Sequence, residues 1–229
     1  MMSLENNYME DSMLKAKMIE LMEKITYESN LVEKMVNTTI EGLLEASTEK
    51  LENALEYENL INNLEMEIEE MCISMISLYQ PAAKNLRTIV SIIKMNSDFE
   101  RMGDLFVNII EAARFLTEQP AMKKYLAVPN MAKETVKMLN DALKAFMNED
   151  VHLANDVCAY DDVIDAYCEQ IARELITYML SDPKYIERAL QLMAISKNLE
   201  RIADHCTNIA EYTIFITEGR VVKHNVEHQ

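Results

Sequence analysis

Glu100, Asp104, Asn108 and Glu111 recur at steps of four, four and three in the stretch NSDFERMGDLFVNIIE, and a hundred positions later SKNLERIADHCTNIAE repeats them as Glu200, Asp204, Asn208 and Glu211. At about 100° per residue these side chains fall within roughly a quarter of a helix circumference. Phe99, Met102, Phe106, Ile109, Ala113 and Leu116 cluster on the opposite side. Two ionised carboxylates four apart on a helix repel by about 0.2–0.5 kcal/mol, so an arrangement written twice asks for an offsetting partner. The preceding segment of each half offers one: Glu58 in the first, Asp161, Asp162 and Asp165 in the second. If the two helices of a half pack with these strips facing, three or four carboxylates surround one point, an oxygen-only donor set suited to magnesium, manganese, iron or calcium. The plainer reading is a solvated face, with Arg101 and Arg201 reaching Asp104 and Asp204 at i to i+3.

Helices must position these residues. Only three glycines and four prolines occur in 229 residues, too few turn formers for an all-β fold. Apolar residues step by three and four through Ile89, Ile93, Phe99, Met102, Phe106 and Ile109, and again through Ile195, Leu199, Ile202, Cys206 and Ile209. Helices are expected near 12–46, 49–79, 82–117, 131–148, 151–181 and 183–217, with Pro81 and Pro183 opening two of them at the first helical position. Sliding the chain by a hundred places matches ERMGDLFVNIIE to ERIADHCTNIAE at six of twelve positions, and three further residues of slip match Tyr57, Glu58 and Ile61 to Tyr160, Asp161 and Ile164. That is an internal duplication. The expected fold is all-α, two tandem three-helix bundles related by pseudo-symmetry: residues 1–118, a linker at 119–130, and residues 131–229 with a polar tail after Gly219. The 18 methionines read as core filler. Cys72, Cys158, Cys168 and Cys206 form no CxxC pair and read as small buried hydrophobes.

A net charge of −17 repels phosphate backbones and anionic membrane surfaces, which argues against nucleic-acid binding. No run of eighteen apolar residues could span a bilayer, and the acidic start MMSLENNYMEDSM is unlike a signal peptide, so a cytoplasmic location is expected. Carboxylate-bridged di-iron oxidases need two ExxH pairs pointing inward, whereas Glu149 and His152 flank an expected helix junction. His205 reads as a boundary histidine, and His224 and His228 fall in the polar tail. There is no GxSxG, phosphate-binding glycine loop or Cys–His constellation, so no enzyme is expected. Capture of free phosphate would call for a basic nest or a glycine-rich loop at a helix N-terminus. The acidic faces suit cations or basic partner surfaces instead.

The doubled ERxxDxxxNI at 100–109 and 200–209, QPAAKNLRTIV at 80–90 and YDDVID at 160–165 resemble, in this order and spacing, the PhoU family of phosphate-signalling proteins over about residues 12–217. The resemblance implies two three-helix bundles, commonly dimeric, with E/DxxxD motifs that carry metal on the bundle surface. By position the implied ligands are Glu100 and Asp104 with Glu58 in the first half, and Glu200, Asp204, Asp161 and Asp165 in the second. The ion could be iron, manganese, magnesium, zinc or calcium. Asn62 departs from the family's second aspartate, so the first site is expected to be weaker. The resemblance further implies negative regulation of a phosphate ABC importer through its ATPase subunit, and a link to a phosphate sensor histidine kinase. The alternative is the same bundle as a metal-independent scaffold for another transporter or partner.

Overall fold

The computed structural model describes residues 2–119 and 127–222, with side chains from residue 12 onward. Six long helices account for nearly all of it: α1 (Met2–Glu45), α2 (Thr48–Tyr79), α3 (Ala83–Thr117), α4 (Val128–Asn148), α5 (Val151–Ser181) and α6 (Ile186–Glu218), with one 3₁₀ turn at Pro183–Tyr185. The expected helices are all present. α1 begins well before residue 12, and α4 begins at Val128 with Pro129 in its first turn, so the expected linker is shorter at that end; residues 120–126 lie outside the described residues. Pro81 does not open α3. It is buried two residues ahead of Ala83, and Ala82 is the N-cap. Pro183 opens the 3₁₀ turn rather than the α-helix itself, with Asp182 Oδ1 accepting from the Lys184 amide at 3.0 Å.

The duplication is sharpest at the corners. α1 ends in Ala46 at φ 52° and α4 in Glu149 at φ 51°, both left-handed. The next amide folds back five residues in each case, Ser47 N to the Gly42 carbonyl at 2.9 Å and Asp150 N to the Ala145 carbonyl at 2.9 Å, which closes the last turn of the helix. Ser47 and Asp150 then cap the following helix: Ser47 Oγ accepts from Lys50 N at 3.4 Å, and Asp150 Oδ1 from His152 N at 3.0 Å and Leu153 N at 3.1 Å. Packing under the corners is complementary rather than identical. A Cβ on Gly42 would stand 2.9 Å from fully buried Leu51. The second half has Ala145 and Ala154 in the same two places.

Within each half the three helices pack on one another, and across the halves α3 packs along α6 and α1 meets α4. Each cross-contact joins a helix to its own counterpart, as a twofold relation between the repeats requires. One continuous apolar core therefore runs through both, from Leu21, Ile25 and Met35 through Phe99 and Phe106 to Leu139, Ile202 and Ile209. Polar ties reinforce the seam: Arg87 Nη2 donates to the Ile216 carbonyl at 3.3 Å, and Lys84 pairs with Glu149 at 2.6 Å. Cys72, Cys158 and Cys206 are buried and Cys168 half-buried, all as free thiols. No helix among the described residues is long and apolar enough to cross a membrane.

Candidate functional site

The two strips of each half do converge. α2 presents Glu58, Asn62 and Glu65 at i, i+4 and i+7 towards α3, where Asn96, Glu100 and Asp104 stand at i, i+4 and i+8, and Asn96 Nδ2 donates to the Glu65 carbonyl at 2.9 Å. Partial burial, then the charges of Asp104, Glu65 and Glu58, raise the Glu100 carboxyl above its ordinary range. Asn62 Nδ2 donates to Glu58 Oε1 at 2.7 Å, replacing what would be a like-charge repulsion with a hydrogen bond. Glu58 and Asp104, with Asn59 and Asn108, line a groove of about 540 Å³.

In the second half partial burial and Glu200 raise Asp165, while partial burial, Glu200 and Asp165 raise Asp204. Asp165 on α5 thus feels Glu200 on α6, and Asp204 on α6 feels both. Asp161 does not stand in an outward row; it is only 9% exposed, and its charge is felt at buried Cys206. Lys197, one turn before Glu200, pairs with it. The donors are carboxylates, which fits a hard cation in kind. As the side chains stand, no three acidic, histidine or cysteine groups among the described residues are gathered to hold one.

Sequence reasoning missed the polar centre of the molecule. Asp98 on α3 is 2% exposed and meets three α6 side chains: His205 Nδ1 at 2.7 Å and Asn208 Nδ2 at 3.3 Å on Oδ1, and the Tyr212 hydroxyl at 2.9 Å on Oδ2. With a carboxylate as acceptor, the Nδ1–H form of His205 donates. Burial and Asp98 itself push the Tyr212 hydroxyl up, which keeps it a donor. Asn208, expected in the acidic row, is thus drawn into the seam between the halves. The signal was present: Asp98 shares its helix face with Met95, Met102 and Leu105, an acid on an apolar stripe.

Glu28 carries the same signal, flanked on its face of α1 by Leu21, Ile25, Val32 and Met35. It is 0% exposed, both carboxyl oxygens lack a hydrogen-bond partner, and burial, helped by the charge of Glu65, pushes it up to about 9.

The family model for the PhoU domain matches this chain twice, at residues 25–113 and 128–213. The chain is 40% identical over 205 residues to the "Phosphate-specific transport system accessory protein PhoU homolog" of Aquifex aeolicus, covering 90% of this chain and 93% of that one. It is 37% identical over 195 residues to the like-named protein of Pseudomonas aeruginosa, 85% of this chain and 81% of that one. Among solved structures it is similar to the crystal structure of PhoU from Pseudomonas aeruginosa, with TM-score 0.87, 35% identity and coverage of 90% of this chain and 99% of that. It is also similar to the phosphate transport system regulatory protein PhoU from Streptococcus pneumoniae, with TM-score 0.83, 28% identity and coverage of 92% and 99%.

Proposed function

We propose, from the premise that this chain belongs to the PhoU family, that it is an accessory regulator of phosphate-specific transport. It restrains a phosphate ABC importer by docking on the ATPase subunit and passes importer status to a sensor histidine kinase, without catalysing a reaction of its own. The observation that supports this reading most is the PhoU domain match in both repeats, joined to a whole-chain likeness in fold. The physical reading agrees with it: with a net charge of −17 and two carboxylate strips, the protein is suited to basic partner surfaces and cations rather than to free phosphate. Phosphate status therefore reaches it through partners.

The test is removal of the protein from its own cells. Phosphate uptake should then stay high when phosphate is plentiful, and the purified protein should retain the importer's ATPase subunit in a pull-down. Uptake that still shuts off normally, or tight binding of phosphate to metal-free protein by calorimetry, overturns the proposal.

The strip of α5 and α6 is the better of the two surface cation sites, with Asp165, Glu200 and Asp204 as its ligands. A bound cation would offset the Glu200 charge, which now helps to raise the carboxyls of Asp165 and Asp204. Metal content of protein purified without chelators should fall in the Glu200→Ala, Asp204→Ala double variant. Regulation that persists in that variant with no metal bound favours the metal-independent scaffold.

A further inference from the structure

The corners, which repeat at a spacing of 103 residues, and the motif of the third helix, which repeats at 100, fix which positions correspond in the two halves, and one layer of the first half has no carboxylate or carboxamide counterpart in the second. Glu28, Glu65 and Asn96 lie at one height of the α1–α2–α3 bundle. Glu65 acts on the Glu28 carboxyl, and the Asn96 amide nitrogen is bonded to the Glu65 carbonyl at 2.9 Å. The corresponding residues of the second half are Met131, Cys168 and Ser196.

What the layer leaves unmet is all of one kind. Both carboxyl oxygens of Glu28, Oδ1 of Asn96 and, one turn along α2, Oδ1 of Asn62 are buried without a hydrogen-bond partner. Each is an acceptor, and the two carboxamide nitrogens are already spent on the Glu65 carbonyl and on Glu58. Unpaired buried acceptors cost free energy, so natural interiors satisfy nearly all of them. A proton on Glu28 supplies a single donor, which meets one orphan oxygen and leaves the rest. A cation meets all of them together and balances the carboxylate charge.

We propose that Glu28, Glu65, Asn62 and Asn96 form an interior site for one hard divalent cation held between α1, α2 and α3. Two carboxylates and two carboxamide oxygens with no nitrogen or sulfur donor select against zinc and for a hard ion. Calcium fits better than magnesium, because magnesium gives up its waters reluctantly, whereas calcium readily takes a set of carboxylate and carboxamide oxygens in flexible geometry. The site lies against the inner edge of the α2–α3 strip, from which it takes Asn62, Glu65 and Asn96, is distinct from the strip of α5 and α6, and does not depend on the regulatory reading.

The experiment uses the full chain stripped with chelator, then titrated with calcium, manganese or magnesium chloride at constant ionic strength. Bound metal is counted by equilibrium dialysis and stability followed by thermal unfolding. Calcium near a hundredfold above its dissociation constant should raise Tm by about 5–10 °C. Glu28→Met, which installs the residue the second half carries, and Glu28→Gln, which keeps the shape, should each lose this shift and one equivalent of calcium. Asp165→Asn with Asp204→Asn, which alters only the surface strip, should retain both. A wild-type protein unmoved by all three ions, or a calcium shift that survives in both Glu28 variants, overturns the proposal.

Discussion

The two halves share a backbone and differ in how they handle crowded acids. On the strip of α2 and α3 the chain has removed a charge, placing Asn62 where α5 has Asp165 and letting its amide donate to Glu58 at 2.7 Å. On the strip of α5 and α6 it keeps the aspartate and supplies Lys197 against Glu200, where α3 has Ser97. The interior reverses the contrast: the first half buries Glu28 and Asp98, and the second has Met131 and Asn198 in their places. Duplication conserved the corners, the apolar faces and the lengths of the second and third helices of each half, 32 and 35 residues against 31 and 33, all of which the fold needs twice. Charge was free to diverge, because each strip and each core layer can be balanced locally.

The largest expected effect breaks this asymmetry at the seam. Asp98→Ala leaves His205, Asn208 and Tyr212 without their acceptor in a buried place, and should cost about 3–5 kcal/mol in urea unfolding. Asn198→Ala, the same position in the other half, should cost about 1 kcal/mol or less. Equal losses in the two variants would mean that Asp98 has no special hold on α6.

Glu28 comes next, in chelator-treated protein. Its folded value of about 9 stands above its ordinary 4.5, so between those pH values the folded state holds a proton that the unfolded state has released. The stability contributed by the neutral acid is whole below about pH 4.5 and is lost as pH rises towards 9, at up to about 1.4 kcal/mol per pH unit. Glu28→Met should flatten that slope and be the more stable protein at pH 7, by up to about 3 kcal/mol. Chemical denaturation of both proteins across pH 5–8 checks the sign, and parallel slopes would refute it.

The corners give a third test. Gly42→Ala drives a Cβ to within 2.9 Å of Leu51 and should cost about 1–3 kcal/mol by overpacking. Adding Leu51→Ala recreates the Ala145 and Ala154 pair of the second corner. The two changes should then couple favourably, the double variant losing at least about 1 kcal/mol less than the sum of the singles.

These sites also show what was legible in the sequence. The six helices, the duplication and the facing acidic strips could be read because period and spacing survive in the letters. Ala46 and Glu149 could not be read as left-handed turns, since neither is the glycine that usually marks one; the bonds that the next amides, Ser47 N and Asp150 N, donate to the Gly42 and Ala145 carbonyls hold them there. Pro81 misled because a proline ahead of a helix need not be its first residue. Asp98 and Glu28 were visible as acids on apolar faces, yet a single helix cannot show whether a partner helix brings donors, as α6 does for Asp98, or brings none.

The smallest effects return to the surface. Asn62→Asp gives the first strip the second strip's letters, exchanging a hydrogen bond for a like-charge contact, and should cost about 0.5–1 kcal/mol at low salt and less at high salt. Lys197→Ala removes the second strip's own counter-charge. The pair is exposed on the lysine side, so its loss should change stability by about 1 kcal/mol or less. The informative readout is the response to added manganese. With Lys197 gone, Glu200 faces Asp165 and Asp204 unopposed, and an external cation becomes the remaining means of neutralising them. Manganese should therefore stabilise Lys197→Ala more than the wild type, and Asn62→Asp should move the first half in the same direction. If manganese stabilises wild type and Lys197→Ala alike, the lysine is not the internal substitute for a cation, and the two strips differ in letters without differing in chemistry.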